Sequence, residues 1–112
     1  MYQGSCHCGK VRFSFDQKPT KYTDCDCSVC IQKGSKHHLL EEGAFRLLSP
    51  SSNLSLYQFG TMAAKHYFCS NCGIHTHCNS RVFPNRIAVN LNCVPDVDLS
   101  SVERFYYNGA SD

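Results

Sequence analysis

No uninterrupted apolar run in the sequence approaches the roughly 18 residues that a helical membrane span requires, so neither a span nor an anchor is expected. A dominant charge is missing too: eleven basic and nine acidic residues are interspersed, for a formal net charge of +2. That balance lacks the footprint of a dedicated nucleic-acid binder, and no basic extension supplies affinity for nucleic acid or cytoskeleton. Nor does any stretch of about a dozen residues hold a 3.6-residue apolar period, because Gly, Pro, Ser and Asn interrupt it. Helix is therefore expected only as short turns. One is Ser28-Val29-Cys30-Ile31-Gln32-Lys33, stopped by Gly34, and another follows Pro95 with Asp96 and Asp98 as capping groups. The opening Met1-Tyr2-Gln3-Gly4-Ser5 runs into a cysteine motif without a basic segment and apolar core of a secretory leader, so a reduced, cytoplasmic protein is expected. Repeats, low-complexity tracts and linkers are also missing, and 112 residues fit one domain, 1–112.

What the sequence does have is short segments rich in β-branched and aromatic residues, several alternating with period two. Residues 11–15, 54–59, 65–68, 74–77, 86–90 and 104–106 read as strands, and the expected fold is mainly β. It also has nine cysteines, about 8% of the chain, a level that marks a cross-linked scaffold. The odd count and the tight spacings suit metal better than disulfides.

Seven of the nine fall in three clusters: Cys6-x-Cys8, Cys25-x-Cys27-x-x-Cys30 and Cys69-x-x-Cys72. In extended chain, residues i and i+2 share a face, so Cys6 and Cys8 can offer both sulfurs to one ion. Cys69-Ser70-Asn71-Cys72-Gly73 reads as a zinc knuckle, with Gly73 permitting the backbone that follows. Two such half-sites make a closed four-thiolate cage with no vacancy for substrate, the mark of a structural zinc. Cys25, Cys27 and Cys30 supply three thiolates within six residues, which leaves one position open, as in a catalytic zinc site. A soft, sulfur-rich site favours a soft incoming ligand such as a thiol. Two alternatives stay open on spacing alone. A histidine, Cys78 or Cys93 could complete the middle site, or Cys25 and Cys27 could join Cys69 and Cys72.

The runs Gly4-Ser5-Cys6-His7-Cys8-Gly9-Lys10-Val11-Arg12-Phe13, Cys25-Asp26-Cys27-Ser28-Val29-Cys30 and Phe68-Cys69-Ser70-Asn71-Cys72-Gly73-Ile74 resemble the glutathione-dependent formaldehyde-activating enzyme family, which includes centromere protein V. The resemblance spans nearly the whole chain. It implies a zinc-binding fold of two packed antiparallel sheets, shared with small Rab-interacting exchange proteins. It also implies two zinc ions, one structural on Cys6, Cys8, Cys69 and Cys72 and one catalytic on Cys25, Cys27 and Cys30. The implied chemistry is that of a carbon-sulfur lyase run in reverse, joining a small thiol such as glutathione to formaldehyde.

Formation of the adduct requires a proton donor, and His37, His38, His66, His75 and His77 are candidates because histidine titrates near neutrality. A histidine in a β-rich protein is more often packed or solvated. His7, between two proposed ligands, is expected to face solvent or to make supporting contacts. Lys33, Lys36, Arg46, Lys65 and Arg81 are candidate partners for a substrate carboxylate. The competing function is a non-catalytic interaction module stabilised by two structural zinc ions. Neither the oligomeric state nor the true substrate follows from the sequence.

Overall fold

A computed structural model describes residues 1–25, 28–60, 62–79 and 85–107, with side chains described at all of these except 25, 28, 30, 31, 106 and 107. Among the described residues ten strands follow in chain order: β1 (Tyr2–Ser5), β2 (Arg12–Phe15), β3 (Lys21–Cys25), β4 (His37–Leu39), β5 (Phe45–Leu47), β6 (Leu54–Tyr57), β7 (Lys65–Cys69), β8 (His75–Asn79), β9 (Ile87–Asn90) and β10 (Glu103–Tyr107). A single α-helix among the described residues, α1 (Ser28–Lys33), lies between β3 and β4. It ends at Gly34, whose φ of +63° is the left-handed turn that glycine adopts without steric cost. The strands form two sheets, β1-β2-β5 and β10-β3-β4-β9-β8-β7-β6. All pairings are antiparallel except β3 with β10, which run parallel at one edge of the larger sheet.

The two sheets pack face to face through aromatic rings, which supply large apolar area in few residues. Phe13 and Phe15 of β2 are fully buried, and with Leu40, Val89, Leu91 and Val94 they form the main core. Phe15 lies against His38 of β4, while Phe13 and Phe45 lie against His77 of β8. Side chains alternate across a strand, so His37 and Cys78, the neighbours of His38 and His77, face the other side of the larger sheet. A second buried cluster of Cys6, Val11 and Cys69, flanked by Leu47, Leu54 and Cys72, joins the sheets at one end.

The expected mainly β fold of two packed sheets is what forms, with the parallel β3–β10 pair as its one departure from antiparallel pairing. The expected strands at 11–15, 54–59, 65–68, 74–77, 86–90 and 104–106 correspond to β2, β6, β7, β8, β9 and β10, within two residues at each end. The helix over 28–33 forms as expected. After Pro95, Asp98 caps a short 3-10 turn by accepting from the Ser100 backbone N–H at 3.1 Å, whereas no capping bond involves Asp96 among the described residues. Strands β1, β3, β4 and β5 carry no period-two pattern long enough to read, and β3 and β4 are ordered by neighbours distant in the chain.

Candidate metal centre

Cys6 lies just after β1, Cys8 in the turn that follows, Cys69 at the end of β7 and Cys72 in the turn before β8. Their four sulfurs lie within 4.8 Å of one another. Cys8 Sγ is 3.6 Å from both Cys6 Sγ and Cys69 Sγ, and all four are free thiols, so no disulfide competes. Tetrahedral zinc with Zn–S of about 2.3 Å places its sulfurs about 3.8 Å apart. The donor set therefore fits a closed tetrathiolate site. Backbone N–H groups point at the sulfurs: Val11 donates to Cys6 at 3.3 Å, and Asn71 and Cys72 donate to Cys69 at 3.4 and 3.5 Å. Such bonds stabilise thiolate charge, as expected around a metal. The knuckle turn is closed by Gly73 N–H donating to Cys69 O at 2.9 Å, with Gly73 at φ +78°.

The thiols differ electrostatically. Hydrogen bonding from the Asn71 side chain, helped by the Lys10 backbone, pulls Cys8 down to about 6, while burial pushes Cys6 up. Cys69 and Cys72 thus sit with Cys6 and Cys8. Cys27 and the side chains of Cys25 and Cys30 lie outside the described residues, as do Arg81 and Phe83; the backbone places Cys25 at the end of β3 and Cys30 within α1.

A second group forms where no sequence motif pointed. His37 of β4 and His75 and Cys78 of β8 bring three ligand atoms within 4.8 Å of one another, on the face of the larger sheet turned away from the smaller one. Lys33, the last residue of α1, reaches His66 of β7 with Nζ 2.6 Å from Nδ1. His66 sits directly opposite Cys78 in the β7–β8 register. Phe59 stacks on His66 and the exposed Tyr57 stacks on Phe59, so a row of rings leads from the β6 edge towards this group.

These buried histidines are poor proton donors at neutral pH. Burial lowers His37 to about 3, His75 to about 2, His66 to about 4 and His77 to about 4, with the Lys33 charge adding to the first three; burial also lowers His38. They are neutral imidazoles, suited to accepting a hydrogen bond or a metal. His7 is exposed. Cys93 is a core thiol raised to about 11 by burial, and its S–H donates to the His75 carbonyl at 3.5 Å, which removes it as a nucleophile. Arg46 is paired with Asp16 at 3.2 Å.

Fold and site together define a small two-sheet β protein with sulfur-rich and mixed cysteine and histidine groups that can hold metal ions. The chain belongs to the glutathione-dependent formaldehyde-activating enzyme family, which matches residues 1–108. A putative glutathione-dependent formaldehyde-activating enzyme of Halomonas elongata is 30% identical over 81 residues, covering 64% of this chain and 52% of that relative. The match thus spans about half of the relative's length. A crystal structure of a Rhodobacter sphaeroides protein is similar with a TM-score of 0.82 and 35% identity, over 92% of this chain and 99% of that chain.

Proposed function

We propose that the protein catalyses the joining of a small thiol, of the glutathione type, to formaldehyde or a similar small aldehyde, and the reverse cleavage, in the cytoplasm and as one domain. The carrying observation is that the sulfurs of Cys6, Cys8, Cys69 and Cys72 gather within 4.8 Å of one another, enough donors for one ion, while the sequence holds Cys25, Cys27 and Cys30 in a cluster of their own. On this reading the first set holds a structural zinc and the second an open, catalytic one. A zinc ion held by three thiolates supplies a Lewis acid with one free position, which favours the thiolate form of an incoming thiol at neutral pH.

The chain's own contribution begins with placement. Cys25 ends β3 and Cys30 lies in α1, and on this reading the three donors come from this stretch of chain. In the reaction the thiol sulfur bonds to the carbonyl carbon, the C=O pair moves onto oxygen, and a proton taken from the thiol ends on the new hydroxyl. No electron donor or acceptor is required. The buried histidines are held neutral by burial, and on this reading solvent or the Lys33 ammonium at the end of α1 carries that proton to the oxygen.

Replacement of Cys27 by Ser tests the reading. The expected result is a folded protein that has lost one zinc and its S-hydroxymethyl-thiol formation from glutathione and formaldehyde, whereas Cys69→Ser loses the fold. If Cys27→Ser unfolds as completely as Cys69→Ser, the middle ion is structural, and the interaction-module alternative replaces the enzyme.

A further inference from the structure

We propose that His37, His75 and Cys78 form a further metal site, distinct from the four-thiolate group, that takes zinc or an ion of similar softness through two imidazole Nε2 atoms and one sulfur. The two Nε2 atoms are 3.1 Å apart, and Cys78 Sγ is 3.9 Å from His37 Nε2. With Zn–N near 2.0 to 2.1 Å and Zn–S near 2.3 Å, tetrahedral ligands stand about 3.3 Å (N to N) and about 3.6 Å (N to S) apart. Small shifts of the side chains close the difference. Two imidazoles and a thiolate are a donor set that zinc accepts with one position left open.

The backbone is shaped to assemble this trio. His75 and His77 are two apart and in a regular strand would share a face. His77, however, faces Phe13 and Phe45 of the smaller sheet, while His75 meets His37 on the opposite side. The β7–β8 register accounts for it: Tyr67 pairs with His77 and Phe68 with His75, so Thr76 is an extra residue in β8. A bulge of this kind re-aims the side chain beside it. It places His75 with Cys78, and β9, which separates β8 from β4, brings His37 alongside.

Hydrogen bonding fixes the orientation of His75. Its Nδ1 lies 3.0 Å from the Tyr67 carbonyl, which can only accept, so Nδ1 carries the hydrogen and Nε2 presents its lone pair to the site. An imidazole anchored through its other nitrogen to a carbonyl is the common arrangement of a metal-ligating histidine. His37 Nε2 then donates to His75 Nε2, and the ion takes the place of that shared hydrogen. On binding, the His37 hydrogen moves to Nδ1 and the Cys78 thiol releases its proton to solvent. The Lys33 ammonium, held on His66, opposes a cation here, and the Cys78 thiolate offsets it. His66 Nδ1 accepts from Lys33, so its Nε2 carries a hydrogen; that atom is buried and has no hydrogen-bond partner among the described residues.

This proposal stands independently of the thiol-aldehyde reading, and its test separates the two. Zinc per chain is measured by elemental analysis on the full, untagged chain as wild type, Cys78→Ala, Cys27→Ser and the double variant. Each single variant is expected to lose one zinc and the double to lose two. A folded Cys78→Ala protein that keeps all its zinc overturns the proposal. So does a double variant that loses only one, since Cys78 would then belong to the middle site. Zinc-edge absorption spectroscopy of the wild type covers the case of variants that fail to fold. Outer-shell imidazole scattering is expected, and a purely sulfur environment overturns the proposal.

Discussion

Individual residues carry the clearest chemical signals and also the least visible ones. Cys6, Cys8, Cys69 and Cys72 were legible because local spacing brings each pair together and only the pairing of the half-sites is left to the fold. His37, His75 and Cys78 were not legible as a group, because their meeting depends on the strand order β4-β9-β8 and on one extra residue in β8. No periodicity in the sequence reports a bulge. A second residue-level feature is Gly4, which is buried in β1 opposite Phe13. A Cβ built there falls on the Phe13 ring, which is itself fully buried. Gly4→Ala should therefore displace a core ring at a cost of about 1–3 kcal/mol. In thermal unfolding this should appear as a fall of roughly 5 °C or more in Tm, while a Gly9→Ala protein meets no such contact and suffers only backbone strain at φ +83°.

Among the elements, α1 depends most on what surrounds it. Six residues are far below the dozen or more that an isolated helix needs in water. Its order must come from packing on β3, from the Lys33 contact with His66 and, on the proposed reading, from metal bound at Cys25, Cys27 and Cys30. Hydrogen exchange is then expected to be fast over 28–33 in Cys27→Ser protein that keeps zinc at Cys6, Cys8, Cys69 and Cys72, and slower in the zinc-loaded wild type. Equal exchange in both would detach α1 from the metal. The strands that escaped the sequence reading share one cause. Strand β4 has three residues and pairs with β9, some fifty residues away, and β5 has three and pairs with β2. Their extended conformation is imposed by ladder partners rather than by their own pattern.

At the scale of the whole molecule, the four-thiol group fastens the end of β1 in the smaller sheet to β7 and β8 in the larger one. Metal binding there becomes folding free energy. Titration with a strong chelator is expected to unfold the protein in a single cooperative step followed by circular dichroism, and readdition of zinc to restore it. Acid should act through a different route as well. His37, His75 and His77 have folded pKa values of about 3, 2 and 4, below the ordinary 6.5. Between those limits the unfolded chain binds protons that the folded one refuses, so stability is intact above 6.5 and falls as the pH drops from there towards 4. Each wholly neutral imidazole adds up to about 1.4 kcal/mol per pH unit to that slope. His77→Phe keeps a ring between Phe45 and Tyr67; the urea midpoint of this variant should therefore depend less steeply on pH between 6.5 and 5.

The parallel pairing of β3 with β10 bears on how the chain is made. Residues 21–25 wait for residues 103–107 before their outer edge is covered. During synthesis that edge stays open until residues 103–107 have left the ribosome, and closing so long a loop is slow. Until then the nascent chain exposes a strand able to recruit a neighbour, and its yield in cells should depend on how quickly β10 arrives.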